Sequence, residues 1–169
     1  MILDLASVQT TPKPLTADVD GAQIDLGGEG SVNPSARFEG ETFREGTKVH
    51  VRGQITTDVD RECSRCAEPL TQHLEIAFAD VFVNASEETD ENDLEVEGAE
   101  LDEQLVEGNE IDLTDVIREQ ILLNLPEQVL CKEDCEGLCP QCGANRNLLD
   151  CDCGEDEIDP RWAALKNLN

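Results

Sequence analysis

Eight cysteines fall in four close pairs, Cys63-x-x-Cys66, Cys131-x-x-x-Cys135, Cys139-x-x-Cys142 and Cys151-x-Cys153, with none left over. A tight turn between two cysteines aims both thiolates at one cation, and Zn2+ takes four such soft ligands at tetrahedral corners. Four pairs therefore supply two complete four-thiolate sites. Cys139-Pro140-Gln141-Cys142-Gly143 has the composition of a zinc knuckle: Pro140 stiffens the turn, and Gly143 permits the positive φ that lets backbone N–H groups approach sulfur. Spacing favours one Zn2+ held by Cys63, Cys66, Cys131 and Cys135, and a second held by Cys139, Cys142, Cys151 and Cys153. The first would staple a sheet to the end of a helix; the second would close a mini-domain. Exchanging the Cys131/Cys135 and Cys139/Cys142 pairs between the sites is the alternative pairing.

With every position filled by thiolate, no coordination site is left for water or substrate, so Lewis-acid catalysis is not expected. No Ser/His/Asp or paired-carboxylate pattern stands above the acidic background, and His50 and His73 read as surface residues. The chain is therefore expected to be non-enzymatic, with no small-molecule substrate. Four sulfurs also suit iron, so a rubredoxin-like electron-transfer site is the rival chemistry. A redox dithiol at Cys63/Cys66 would want a helix N-terminus to lower its thiol pKa, whereas this pair follows a strand and precedes Glu68-Pro69.

The chain has 169 residues, 38% hydrophobic and 3% aromatic, so a modest core is expected with metal as the additional staple. Its 39 acidic and 12 basic residues give a net charge of -27. Gripping a phosphate backbone requires lysine and arginine, so any RNA contact is expected to be local or made through a partner, and anionic membrane is disfavoured. The start, Met1-Ile2-Leu3-Asp4-Leu5, has no basic n-region or long apolar stretch, which predicts a cytoplasmic protein. In that reducing compartment disulfides are not expected.

These sites must be carried by a body, and residues 36–83 read as strands. Val49, Val51, Ile55 and Val59 share one parity, with Lys48, His50, Arg52, Gln54, Thr56 and Asp58 on the other. Leu74, Ile76 and Phe78 repeat the pattern into Val81-Phe82-Val83; Arg37-Phe38-Glu39 is a preceding strand, and Glu45-Gly46 a turn. Asp4 to Val8 is a short strand or turn, and Thr11-Pro12-Lys13-Pro14 interrupts any helix. Ala85 to Glu110 contains no basic residue and reads as a solvated acidic loop, or alternatively as a contact surface for a basic ribosomal protein. Asp112 is an N-cap for an amphipathic helix carrying Leu113, Val116, Ile117, Ile121 and Leu125, stopped by Pro126. Asp159-Pro160 opens a second helix bearing Trp162 and Leu165. Arg37, Arg44, Lys48, Arg52, Arg61 and Arg65 cluster in the strand region, either as a positive patch or, the favoured reading, paired with nearby carboxylates.

The expected fold is α+β: an antiparallel β-sheet meander covered by an amphipathic helix, with a C-terminal zinc-knuckle segment. Residues 1–130 form the body, with the acidic loop at about 85–110; residues 131–158 are the cysteine-rich zinc segment; residues 159–169 are a C-terminal helix docking on the body.

Several segments together resemble the YceD family of large ribosomal RNA subunit accumulation proteins. They are Glu62-Cys63-Ser64-Arg65-Cys66-Ala67-Glu68-Pro69-Leu70, the helix from Ile111-Asp112-Leu113 to Leu125-Pro126, Cys135 through Asn145, and Asp159-Pro160-Arg161-Trp162-Ala163-Ala164-Leu165. The resemblance implies a bacterial or organellar protein needed for accumulation of large-subunit rRNA, with ribosomal or ribosome-assembly proteins as partners and no catalytic residues to carry over. Some members of that family lack the downstream cysteine cluster, which implies that metal stabilises the fold. A generic zinc-dependent interaction module is the remaining alternative.

Overall fold

The structure, a computed structural model, describes residues 1–85 and 103–153. In chain order these contain β1 (Ile2–Asp4), β2 (Lys13–Asp20), β3 (Ser31–Glu45), β4 (Lys48–Glu62), β5 (Pro69–Asn84), β6 (Glu103–Val106), β7 (Glu110–Asp112) and α1 (Leu113–Asn124). The architecture is mostly β with one helix, an α+β fold.

Alternation in the sequence becomes two faces in the sheet. β4 buries Val49, Val51, Ile55, Thr57 and Val59, and leaves Arg52, Gln54 and Thr56 exposed. β5 buries Leu74, Ile76 and Phe82 against the same side. The five-stranded sheet has the order β2-β3-β4-β5-β6, with β2 to β5 joined antiparallel in chain order. Glu45 pairs with Lys48 across the tight turn at Gly46, whose φ of 62° suits a residue without Cβ.

Among the strands that depart from the sequence reading, β2 and β6 have a clear physical reason. Pro12 and Pro14 do exclude a helix, but Pro14 lies within β2. That strand is the sheet's outer edge, where a residue lacking an N–H is tolerated. β6 lies inside the stretch expected to be an acidic loop, and it pairs in parallel with β5, Leu105 opposite Val83, so the sheet is mixed and not wholly antiparallel. Four residues without clean alternation carry no local strand signal; the open edge of β5 supplies the pairing. Residues 86–102 of the acidic run and the helix expected from Asp159 lie outside the described residues.

α1 begins and ends where the caps place it. The Asp112 carboxylate accepts the Thr114 N–H at 2.9 Å, which holds its carboxyl below the usual carboxylate range. Leu125, before Pro126, closes the helix in an extended conformation. Leu113, Val116, Ile117 and Ile121 join Phe38, Val51, Ile55 and Val59 in the main apolar core. β7 immediately precedes the helix and pairs with β1, tying the first residues to the helix start.

A second, separate cluster contains only Cys63, Cys66 and Cys135, with Leu70 and Leu130 packed on it. The body and the cysteine region thus have different kinds of core. Among the described residues no helix is long and apolar enough to cross a membrane.

The basic side chains of the strand region are engaged within the chain. Arg37 bonds Glu39, Arg52 bonds Glu41 and lies over the Phe43 ring, and Lys48 pairs with Glu103. Arg44 and Arg61 donate to the backbone carbonyls of Leu5 and of Glu29 and Pro126, and Arg65 donates to that of Cys135.

Candidate metal centres

The connection between β4 and β5 is a knuckle. Cys63 directly follows the outgoing strand, and the Ala67 N–H closes the turn onto the Cys63 carbonyl at 2.9 Å. Cys139 repeats this geometry, with the Gly143 N–H on its carbonyl at 2.8 Å. In both, the residue after the second cysteine has a positive φ: 56° at Ala67 and 74° at Gly143. Glycine occupies that conformation without cost, whereas a Cβ costs roughly 1 kcal/mol or more. Ala67→Gly is therefore expected to stabilise the metal-loaded protein by about 1 kcal/mol, read as an upward shift of its thermal midpoint; an unchanged or lower midpoint contradicts strain at Ala67.

The remaining half of the first group arrives after α1. The chain from Pro126 is pinned beside β4: Arg61 donates to the Pro126 carbonyl at 2.9 Å, and Ser64 and Val129 exchange hydrogen bonds of 2.8 and 3.1 Å. This carries Cys131 and Cys135 onto the first knuckle.

The structure brings Cys63, Cys66, Cys131 and Cys135 together as one quartet, and Cys139, Cys142, Cys151 and Cys153 as another; within each, all sulfurs lie within 4.8 Å of one another. The exchanged pairing is not the one this fold builds. Cys63 and Cys135 sulfurs are 3.7 Å apart, and those of Cys66 and Cys131 3.6 Å. A disulfide requires about 2.05 Å. Four sulfurs about 2.3 Å from a central cation stand roughly 3.8 Å apart along each tetrahedral edge. The donor set and spacing thus fit a soft four-coordinate ion, and each quartet could hold one. Cys63, Cys66, Cys135 and Cys139 are buried, while Cys131 and Cys142 are exposed.

The electrostatics of the sulfurs point the same way. Burial opposes ionisation of Cys63, but the N–H groups of Arg65, Cys131 and Cys66 outweigh it and bring the thiol down to about 6. Cys135 is also lowered against its burial, by the Asn147 amide and the Gly137 N–H. Burial and the three neighbouring sulfurs push Cys131 up to about 12. At Cys66 the Glu68 N–H favours the thiolate, yet burial and the Cys63 and Cys135 sulfurs raise it. The second quartet divides likewise. The N–H groups of Cys142 and Gln141 bring Cys139 to about 6; Cys139 itself raises Cys151, and Cys142 and burial push Cys153 to about 12. Sulfurs this close cannot all carry charge unless a cation lies between them.

Residues 51–169 match the family described as Large ribosomal RNA subunit accumulation protein YceD. The chain belongs to the YceD family. The YceD match contains all eight cysteines and α1, whereas β1, β2 and β3 precede it. An uncharacterized protein of Mycobacterium tuberculosis is 37% identical over 131 residues, covering 76% of this chain and 58% of that protein. The protein YlbN of Bacillus subtilis is 28% identical over 133 residues, covering 78% of this chain and 73% of its own length. A chloroplastic protein of Arabidopsis thaliana, named large ribosomal RNA subunit accumulation protein YCED homolog 1, is 28% identical over 149 residues, covering 76% of this chain and 46% of that protein. The chain thus spans less than two thirds of the mycobacterial relative and under half of the plant one. No solved structure matches.

Sequence reasoning missed the side chains that serve the sulfurs. Asn147 Nδ2 donates to Cys135 at 3.3 Å, and Arg146 Nη2 approaches Cys139 at 3.9 Å. Asn145-Arg146-Asn147 reads in sequence as the loop before Cys151, and only the fold shows where its side chains go.

Proposed function

We propose that this YceD protein is a non-enzymatic accessory factor for accumulation of large-subunit ribosomal RNA, acting in the cytoplasm through ribosomal or ribosome-assembly proteins, with its two cysteine quartets each holding a structural Zn2+. The observation that carries the ribosomal reading is membership of a family described by that role, together with plant relatives bearing the same name. Engagement of the sheet's arginines within the chain favours protein contacts over a broad grip on phosphate. Zinc in a closed thiolate site holds shape and offers no position to a substrate, so the quartets act by presenting a folded surface.

Depletion of the protein in its own cell is expected to lower large-subunit rRNA relative to small-subunit rRNA, with restoration by the intact gene. Unchanged rRNA would leave a generic interaction module. Metal analysis of protein purified without added metal is expected to give two equivalents of zinc and no visible colour. An iron–thiolate electron-transfer centre would absorb visible light, and that result would replace the structural reading.

A further inference from the structure

The two quartets share more than a stretch of chain. Gly137, between Cys135 and Cys139, has a φ of 75° and passes so close to the first knuckle that a Cβ there would stand 3.0 Å from the Arg65 carbonyl oxygen. The next residue, Leu138, donates its N–H to that same oxygen at 3.0 Å. Asn145, in the loop that leads from Cys142 to Cys151, donates to the Glu68 carboxylate at 3.1 Å, and the Glu68 carbonyl receives the Cys63 N–H. In the same loop, adjacent residues serve opposite quartets: Arg146 approaches the Cys139 sulfur, and Asn147 donates to the Cys135 sulfur at 3.3 Å.

Asn147 is held for this task. Its Oδ1 accepts the Glu136 N–H at 3.0 Å, its own N–H goes to Asn145 Oδ1 at 3.0 Å, and its amide group divides its hydrogens between Asn145 and the sulfur. A donor aimed at a ligating thiolate spreads its negative charge and fixes its direction, and outer groups of this kind typically change metal affinity 10- to 100-fold. The loop that positions the donor is closed by the second quartet.

We propose that Asn147 is a positioning residue of the first metal centre supplied by the loop of the second, and that the two centres therefore take up metal cooperatively. This rests on the reading that both quartets hold metal. Metal in the second quartet fixes the 145–147 loop, and the fixed loop presents the amide to Cys135. By linkage, metal in the first quartet must favour the second by the same factor.

The test is a Co2+ titration of the full reduced chain against a competing chelator of known affinity. It compares the wild type with Asn147→Asp, with Cys142→Ser/Cys153→Ser (second quartet disabled) and with Cys66→Ser/Cys131→Ser (first quartet disabled). Aspartate keeps the acceptor for the Glu136 N–H but loses both amide hydrogens, the one aimed at sulfur and the one given to Asn145 Oδ1. Asn145→Ala, which removes that second contact and leaves the donor to sulfur, separates the brace from the donor. The wild type is expected to bind two Co2+ with thiolate charge-transfer bands. Asn147→Asp should weaken the first centre roughly 10- to 100-fold. Disabling either quartet should weaken the other by one common factor, and adding Asn147→Asp to the chain with a disabled second quartet should then do little more. First-centre affinity that is unchanged when the second quartet is disabled overturns the coupling while leaving the metal reading intact, and this arm stands even where Asn147→Asp fails to fold. Absence of any Co2+–thiolate spectrum in the wild type overturns both.

Discussion

Stripping metal from the reduced protein with a strong chelator is expected to unfold residues 126–153 and leave the sheet and α1 folded. The two apolar clusters make this asymmetry. The core formed by β2 to β5 and α1 contains neither quartet, whereas the second cluster is three cysteines with Leu70 and Leu130 around them. Beyond α1 the only fully buried described residues are Cys135, Gly137 and Cys139, so without metal the segment has almost no apolar surface to bury. Structural zinc sites contribute on the order of 10 kcal/mol of folding free energy, more than this segment's scattered hydrogen bonds can replace at about 1 kcal/mol each. Limited proteolysis or hydrogen exchange followed along the chain should show protection lost after Pro126 and retained in β3, β4 and β5. Global unfolding on chelation, or protection unchanged throughout, contradicts the division.

The same centres set a pH dependence with a definite sign. Cys66 and Cys131 are raised, Cys131 to about 12, so both are protonated at neutral pH before metal enters. Binding must expel at least these protons, and affinity therefore falls as pH falls. Below about 6 Cys63 must also lose a proton on binding, and the fall steepens. Metal retention is expected to be highest on the alkaline side of neutrality and to be lost first in acid, read as bound metal per chain after dialysis at stepped pH.

How much of this was legible without coordinates follows from which interactions are local. The strands through Val49–Val59 and Leu74–Phe82 could be read because one buried face imposes a period of two on consecutive side chains. α1 could be read because Asp112 and Pro126 mark its ends chemically. The cysteine pairs announce themselves because a knuckle is a turn of five residues. β2 and β6 could not be read: one is masked by Pro14, harmless only because that strand is an edge, and the other is defined by pairing with β5 across the acidic run. Ala67 conceals the likeness of the first knuckle to the second, since its positive φ is imposed by the turn and not chosen by the residue. Asn147 carries no signal at all, because its partner Cys135 belongs to the other quartet.

Gly53→Ala is expected to cost the body about 1–3 kcal/mol or more, a large effect for one methyl group. Gly53 pairs with Gly40 across β3 and β4, and with Phe78 across β4 and β5. The Phe38 ring lies against this glycine pair, 5.4 Å from the Phe78 ring, and Phe38 is among the most deeply buried side chains. A Cβ on Gly53 would meet the Glu39 carbonyl oxygen at 2.4 Å, Gly40 Cα at 2.6 Å and the Phe38 ring at 2.6 Å. Two of those three neighbours are backbone, so the sheet itself must move; overpacking of this kind costs about 1–3 kcal/mol and sometimes more. Phe38→Ala removes the ring and should cost roughly 3–5 kcal/mol. Combining the two should cost less than their sum, because the ring clash disappears, yet rescue stays incomplete because the backbone clashes remain. Thermal or urea unfolding followed by far-UV circular dichroism measures all three; strict additivity, or a neutral Gly53→Ala, contradicts the close approach. The consequence reaches the metal as well. The body is expected to keep its own core when metal is removed, but Cys63 and Cys66 are aligned by the ends of β4 and β5. The first centre should therefore release its metal as the body melts, and by linkage bound metal should raise the body's melting point.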